Sequence, residues 1–167
     1  MRALLVALAC CCLPLAANAE RYQAMVSHIT DGNTVSVRPA HGGPPQQIRI
    51  TGIDAPEICQ PFGAQSRDAL ASRLLRRHVT VITRGKDDFR RTLARIRLGN
   101  EDVGAWMVTR GYAWSYRFRS DPGPYAREEA RARDARIGLW GQGTAESPRN
   151  FRVRHGPCHQ EKRAWPS

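Results

Sequence analysis

The stretch RITGIDAPE, residues 49 to 57, sets an arginine, an aspartate and a glutamate around one short loop. Pro56 fixes its own φ and restricts the residue before it, so Asp54 and Glu57 sit on stiff backbone. Upstream, TDGNT at residues 30 to 34 is a turn signal in which Asp31 and Asn33 both offer side-chain oxygens. Oxygen-only ligands of this kind suit a hard cation such as calcium. If the two turns meet in space, Asp54 and Asn33 hold an ion while Glu57, slightly further off, orients or deprotonates a water. The competing reading is that Asp31 and Asn33 only shape a turn and Asp54 only caps one. Hydrolysis of a phosphodiester builds negative charge on a five-coordinate phosphorus, and a planar guanidinium grips two of its oxygens at once. Arg49, on the run leading into the Asp54 loop, is placed for that, and Arg91 in DDFRRTLARI is the second candidate.

Such groups act together only if a scaffold holds them, and the chain alternates as strands do. Val35 and Val37 share one face of NTVSV, Ile48 and Ile50 one face of QIRIT, and Val79 and Val81 one face of VTVIT. In TLARIRL, Ala94, Ile96 and Leu98 oppose Arg95 and Arg97, and HGGPPQQ is a loop by its glycines and prolines. Helical periods follow. Residues 64 to 77 pair Leu70 with Leu74 and Ala71 with Leu75 and end basic. EDVGAWMVTRG aligns Val103, Trp106 and Met107 and closes on Gly111, and PYAREEARARDARIGLW makes a third helix with Ala126, Ala130 and Ile137 inward. From Gly141 onward, glycine, proline and charge predict an irregular tail held mainly by Cys158. Strands closing a small barrel, with helices inserted and appended, make an α+β fold. An oligonucleotide-binding barrel fits that order, and its open face commonly binds nucleic acid.

At 167 residues the chain has the length of one domain. Its 26 lysines and arginines against 15 acids give a formal charge of +11, which suits a polyanionic partner better than a neutral metabolite. MRALLVALACCCLPLAANAE combines Arg2, an uncharged apolar run and an Ala17-Asn18-Ala19 ending, which predicts a secretory signal over residues 1–19 and an exported product, periplasmic or secreted. No other long apolar run follows, so no membrane insertion is expected once the signal is removed. Cys10, Cys11 and Cys12 leave with it. Cys59 and Cys158 remain in an oxidising compartment and are expected to form a disulfide that ties the C-terminal tail beside the 54 to 59 loop. No heptad pattern suggests an oligomer, so a monomer is expected.

DGNTV, RITGIDAPE, DDFRRTLARI, NEDVGAWMVTRGYAW and EEARARDARIGLW occur in the order and approximate spacing of the staphylococcal nuclease family, which the chain resembles from about residue 24 to residue 141. The resemblance implies a five-stranded oligonucleotide-binding β-barrel with three helices over residues 20–141, ahead of a tail at 142–167. It implies that Arg49 and Arg91 contact the scissile phosphate and that Glu57 activates water. Asp54, Asn33 and the backbone carbonyl of Ala55 would bind calcium, with Asp31 in the outer shell. A calcium-dependent nuclease acting on DNA and RNA follows from that correspondence.

Three positions depart from the family pattern, two of them with consequences for the chemistry. Asn33 stands where a second aspartate is usual; it keeps an oxygen ligand but removes a charge, so a weak, millimolar calcium site is expected. Arg90 stands where a glycine usually precedes the arginine, and a positive φ there would strain it and re-aim Arg91. Phe89 replaces a tyrosine and keeps a stacking face, which makes Phe89 and Arg90 nucleic-acid-binding candidates. The alternative is a catalytically impaired nucleic-acid-binding module of the same fold, whose basic face attracts phosphates.

Overall fold

The computed structural model describes residues 19–143, 145–156 and 158. The predicted signal, Ala19 apart, lies outside the described residues. Strand β1 (Arg21–Asp31) turns at Gly32 into β2 (Thr34–Pro39), which pairs antiparallel with it and with β3 (Gln46–Ile50). A short β4 (Ile53–Asp54) and helix α1 (Gly63–Leu74) follow, and β5 (His78–Lys86) returns along the other edge of β1. Strand β6 (Thr92–Leu98) pairs antiparallel with β5 and parallel with β3, with Arg49 opposite Leu93. That last pairing closes the sheet. The α+β fold with a five-stranded barrel is therefore the one expected. Beyond it, β7 (Glu101–Asp102) leads into α2 (Val103–Thr109), and β8 (Trp114–Ser115) pairs back with β4. Helix α3 (Ala126–Asp134), a 3-10 turn (Gly138–Gln142) and α4 (Pro148–His155) complete the described chain.

The alternating runs face inward as read: Val35, Val37, Ile48, Ile50, Val79, Val81, Ala94 and Ile96 are all buried in one core. Each such valine or isoleucine contributes roughly 1.5–3 kcal/mol through removal from water. Strand β1 alternates only over its first half. Tyr22, Ala24 and Val26 point inward, and a register shift between Val26 and His28 then moves the inward position to Ile29. An extra residue of that kind breaks period two.

The helices need three corrections. Helix α1 buries Leu70 and Leu74 but stops at Leu74, leaving Leu75 41% exposed, because Arg76 adopts a positive φ of 61° and bonds back to the Val26 carbonyl. In α3 the inward residues are Glu129 and Ala132, not Ala126, Ala130 and Ile137. A buried acid saturated with donors takes the core side there, and a search for apolar periodicity passes over it. The tail is not irregular throughout. Ser147 caps α4 by accepting from the Asn150 N–H at 3.3 Å, Pro148 sits in its first turn, and Phe151 is buried. Among the described residues the helices thus number four rather than three. Cys59 and Cys158 are bonded, as expected.

Candidate active site

The two turns do meet. A Cβ added to Gly32 would stand 2.0 Å from Ser66 Oγ and 2.7 Å from the Ala55 Cβ, so only glycine lets the first turn lie against the second loop. Asp31 Oδ1 accepts the Asn33 N–H at 2.9 Å and fixes that turn, while the Asn33 carbonyl accepts the Ile50 N–H at 2.8 Å and ties it to β3. Arg49, on β3, then spans both loops: Nη1 donates to Asn33 Oδ1 at 3.0 Å and Nη2 to Asp54 Oδ1 at 3.1 Å. Asp54 is held from behind by its register with Trp114 in the β4–β8 pair. Glu57 is held by its backbone. Gln60 Oε1 accepts its N–H at 3.1 Å, its carbonyl accepts the Gln60 N–H at 2.8 Å, and a Cβ on Gly63 would lie 2.0 Å from that carbonyl.

Barrel closure brings in the second arginine. Arg91 immediately precedes β6, the strand paired with β3, so it emerges on the same rim as Arg49. Asp87 accepts from the N–H groups of Phe89 at 3.0 Å and Arg91 at 2.9 Å and from Arg91 Nε at 2.7 Å. The Arg91 guanidinium also lies over the Phe89 ring, 5.2 Å from its centroid. Between the two held residues Arg90 adopts φ 63°, the positive value anticipated for its position. A cleft of about 620 Å³ is lined by Asn33, Arg49, Glu57, Phe89, Arg91 and Arg152. Arg90 lines a neighbouring cleft of about 770 Å³ instead, together with Arg84 and Lys86.

Two residues of this site are absent from the sequence reading. Asp87 is one; its spacing to Arg91 was legible, but nothing in DDFRR announces that its carboxylate folds back. Arg152 is the other. It reaches in from α4, with Nη1 on Glu57 Oε1 at 2.6 Å and Nη2 on Asp54 Oδ2 at 3.4 Å. The available signal was the cysteine pair, because bonding Cys158 to Cys59 draws the arginines just before it towards the Glu57 loop.

Burial pushes the Asp54 carboxyl above its usual range, and the Arg152 and Arg49 charges only partly offset it. Burial likewise raises Asp31 despite the hydrogen bonds it accepts. Both acids therefore favour a cation as neighbour. Among the described residues no group of three or more His, Cys, Asp or Glu side chains forms a metal cluster. Two carboxylates and the Asn33 amide oxygen make a sparse, oxygen-only set, which fits a hard cation that retains waters.

A family model described as "Staphylococcal nuclease homologue" matches residues 47–142. The chain is 32% identical over 142 residues to a micrococcal nuclease of Shigella flexneri, covering 78% of this chain and 80% of that protein. It is 31% identical over 137 residues to an uncharacterized endonuclease of Haemophilus influenzae, covering 82% and 76%. A probable staphylococcal-like nuclease of Oryza sativa subsp. japonica shares 38% identity over 106 residues, 64% of this chain, and the match spans 21% of that longer protein.

Proposed function

The chain belongs to the staphylococcal nuclease family, and from that premise we propose that it is an exported, calcium-dependent nuclease that hydrolyses the phosphodiester bonds of DNA and RNA. The observation that carries this reading is that Arg49, Arg91 and Glu57 line one cleft, Arg49 on β3 and Arg91 immediately before its partner strand β6. Arg49 and Arg91 donate to the non-bridging oxygens as charge develops on phosphorus, and Glu57 orients a water and accepts its proton. Asp54, Asn33 and the Ala55 carbonyl would hold calcium, with Asp31 behind them. Bound there, the ion adds positive charge beside the scissile phosphate. Exposed Phe89 offers a ring for base stacking, and the formal +11 steers the polyanion in.

Export rests on the leader-like residues 1–19, and the Cys59–Cys158 bond suits an oxidising compartment. No helix among the described residues is long and apolar enough to cross a membrane. The chain is taken to act as a monomer.

Asn33 and the Arg152 contact with Glu57 favour a second reading, a nucleic-acid-binding module that has lost turnover. One experiment separates the two: incubation of the chain from Glu20 onward with single-stranded DNA, duplex DNA and RNA, calcium titrated against chelator, and Glu57→Ala as control. Calcium-dependent products that vanish in the variant establish the nuclease. Salt-sensitive binding without cleavage at any calcium level establishes the module.

A further inference from the structure

We propose that Arg152 is a positioning residue of this site: its guanidinium orients the Glu57 carboxylate and neutralises the second oxygen of Asp54, and the Cys59–Cys158 disulfide keeps it there. The inference rests on the nuclease reading for its role in turnover and on the geometry alone for its effect on cation binding.

Asp31 and Glu57 line one cleft, and the Glu57 charge is felt both by Asp31 and by the buried Asp54 beside it. Arg49 takes one oxygen of Asp54, and Arg152 takes the other while gripping Glu57 at 2.6 Å. A planar fork with two donors fixes the separation of two carboxylates in a way that a single-point ammonium does not. For a base that must stand within hydrogen-bond reach of one water, that fixed orientation governs rate rather than substrate affinity. The contact is also sheltered, with the side chains of Arg152, Glu57 and Asp54 only 35%, 25% and 10% exposed.

Arg152 and the helix that carries it lie beyond residue 142, where the family match ends. Ser147 caps the helix that carries it, and Phe151 buries beside it. Gln60 Nε2, from the Glu57 loop itself, donates to the Glu146 carbonyl at 2.7 Å, and the Cys59 N–H points to Cys158 Sγ at 3.1 Å. The loop bearing the base and the segment bearing the arginine are therefore fastened at both ends of α4. An eight-residue helix is marginal on its own, so its place depends on those fastenings.

The same contact has a second, opposite consequence. A guanidinium against Asp54 opposes any cation that shares that carboxylate, so its removal tightens cation binding. Structural damage would weaken binding and turnover together.

The test compares the wild-type chain with Arg152→Ala, Arg152→Lys and the pair Cys59→Ser with Cys158→Ser. It reads kcat and KM on a single-stranded oligonucleotide and, without substrate, calcium affinity by calorimetry. Arg152→Ala is expected to lower kcat about tenfold or more with KM within about twofold, and Arg152→Lys to recover part of it. The cysteine pair reproduces the loss, and a variant combining it with Arg152→Ala turns over no more slowly than Arg152→Ala alone. Calcium binds about threefold or more tighter to Arg152→Ala. An unchanged or higher kcat in Arg152→Ala, or unchanged or weaker calcium binding, overturns the proposal. If the wild-type chain shows no turnover, the nuclease reading fails by itself, and the calcium titration still decides whether Arg152 acts on the carboxylates.

Discussion

Arg49 Nη1 donates to the amide oxygen of Asn33 at 3.0 Å, and this leaves Asn33 Nδ2 buried with no hydrogen-bond partner among the described residues. Turning the amide over would set donor against donor, so Arg49 fixes which atom of Asn33 faces the site. The position is thus a neutral group in a place shaped for an anion.

Asn33→Asp is expected to raise calcium affinity about tenfold, since it restores a charged ligand and removes the orphaned donor. Without calcium the variant melts lower, because it buries another carboxylate beside Asp31 and Asp54, which burial already disfavours in their charged form. Calorimetric titration and melting curves with and without calcium check both signs. An unchanged affinity would remove Asn33 from the ligand set.

Arg90 holds φ 63° between two residues fixed by Asp87. A side chain in the left-handed region costs roughly 1–2 kcal/mol, part of which glycine returns through its freer unfolded chain. Arg90→Gly should stabilise the fold by about 0.5 kcal/mol, read as a higher denaturant midpoint at constant slope. A loss of stability would mean that the arginine side chain makes up for its backbone.

Asp87 aims Arg91 through three hydrogen bonds, two of them to the backbone of its own loop. Asp87→Ala should therefore lower kcat about tenfold while the barrel melts within a few degrees of wild type, since Asp87 lies in a loop outside the core. A kcat equal to that of wild type would show that Arg91 finds the phosphate unaided.

The legible parts of this molecule were those where one residue type carries one role. Val35, Val37, Ile48 and Ile50 alternate because each strand buries one face, and the Asp54 and Glu57 loop is announced by Pro56. Strand β1 was hidden by its bulge and Glu129 by its charge, because both break the periodicity that signals a core face. Arg152 was hidden for another reason: its role depends on a contact with Glu57 ninety-five positions away, which only folding brings about. One of many arginines in a charged tail has no local mark.

Asp102 caps α2 and links three elements. Burial pushes its carboxyl up, but donors from the Ala105 N–H, Tyr125 and Arg95 outweigh that and hold it below the usual range. A lowered folded value gives stability that is present above the unfolded carboxyl value, about 3.9, and lost as pH falls through the folded one. Tyr125, pushed up to about 12 by burial and by Asp102, remains a donor throughout that window. Asp102→Asn should thus destabilise by about 1–2 kcal/mol at neutral pH and by less at about pH 3. Urea unfolding at the two values measures the difference, and a constant gap would show that Asp102 acts through packing alone.

Glu129 is a charged residue only 1% exposed, and its environment explains why it is tolerated. One carboxylate oxygen accepts the Ser115 N–H at 2.8 Å, and the other accepts from Arg117 and Arg133, each at 2.8 Å. Ser115 belongs to β8, whose pairing with β4 sets Asp54 opposite Trp114, so the buried acid supports the strand that presents a site residue. Removing it strands a buried N–H and leaves two arginines over an apolar hole. Glu129→Ala should destabilise by about 3–5 kcal/mol. Glu129→Gln keeps an acceptor for Ser115 while losing the ion pairs, so it should fall between the two. Because the damage runs through β4, calcium affinity should decline along with the melting temperature in both variants. If Glu129→Gln melts as low as Glu129→Ala, the paired charge, and not the hydrogen bond to Ser115, is what holds the strand in place.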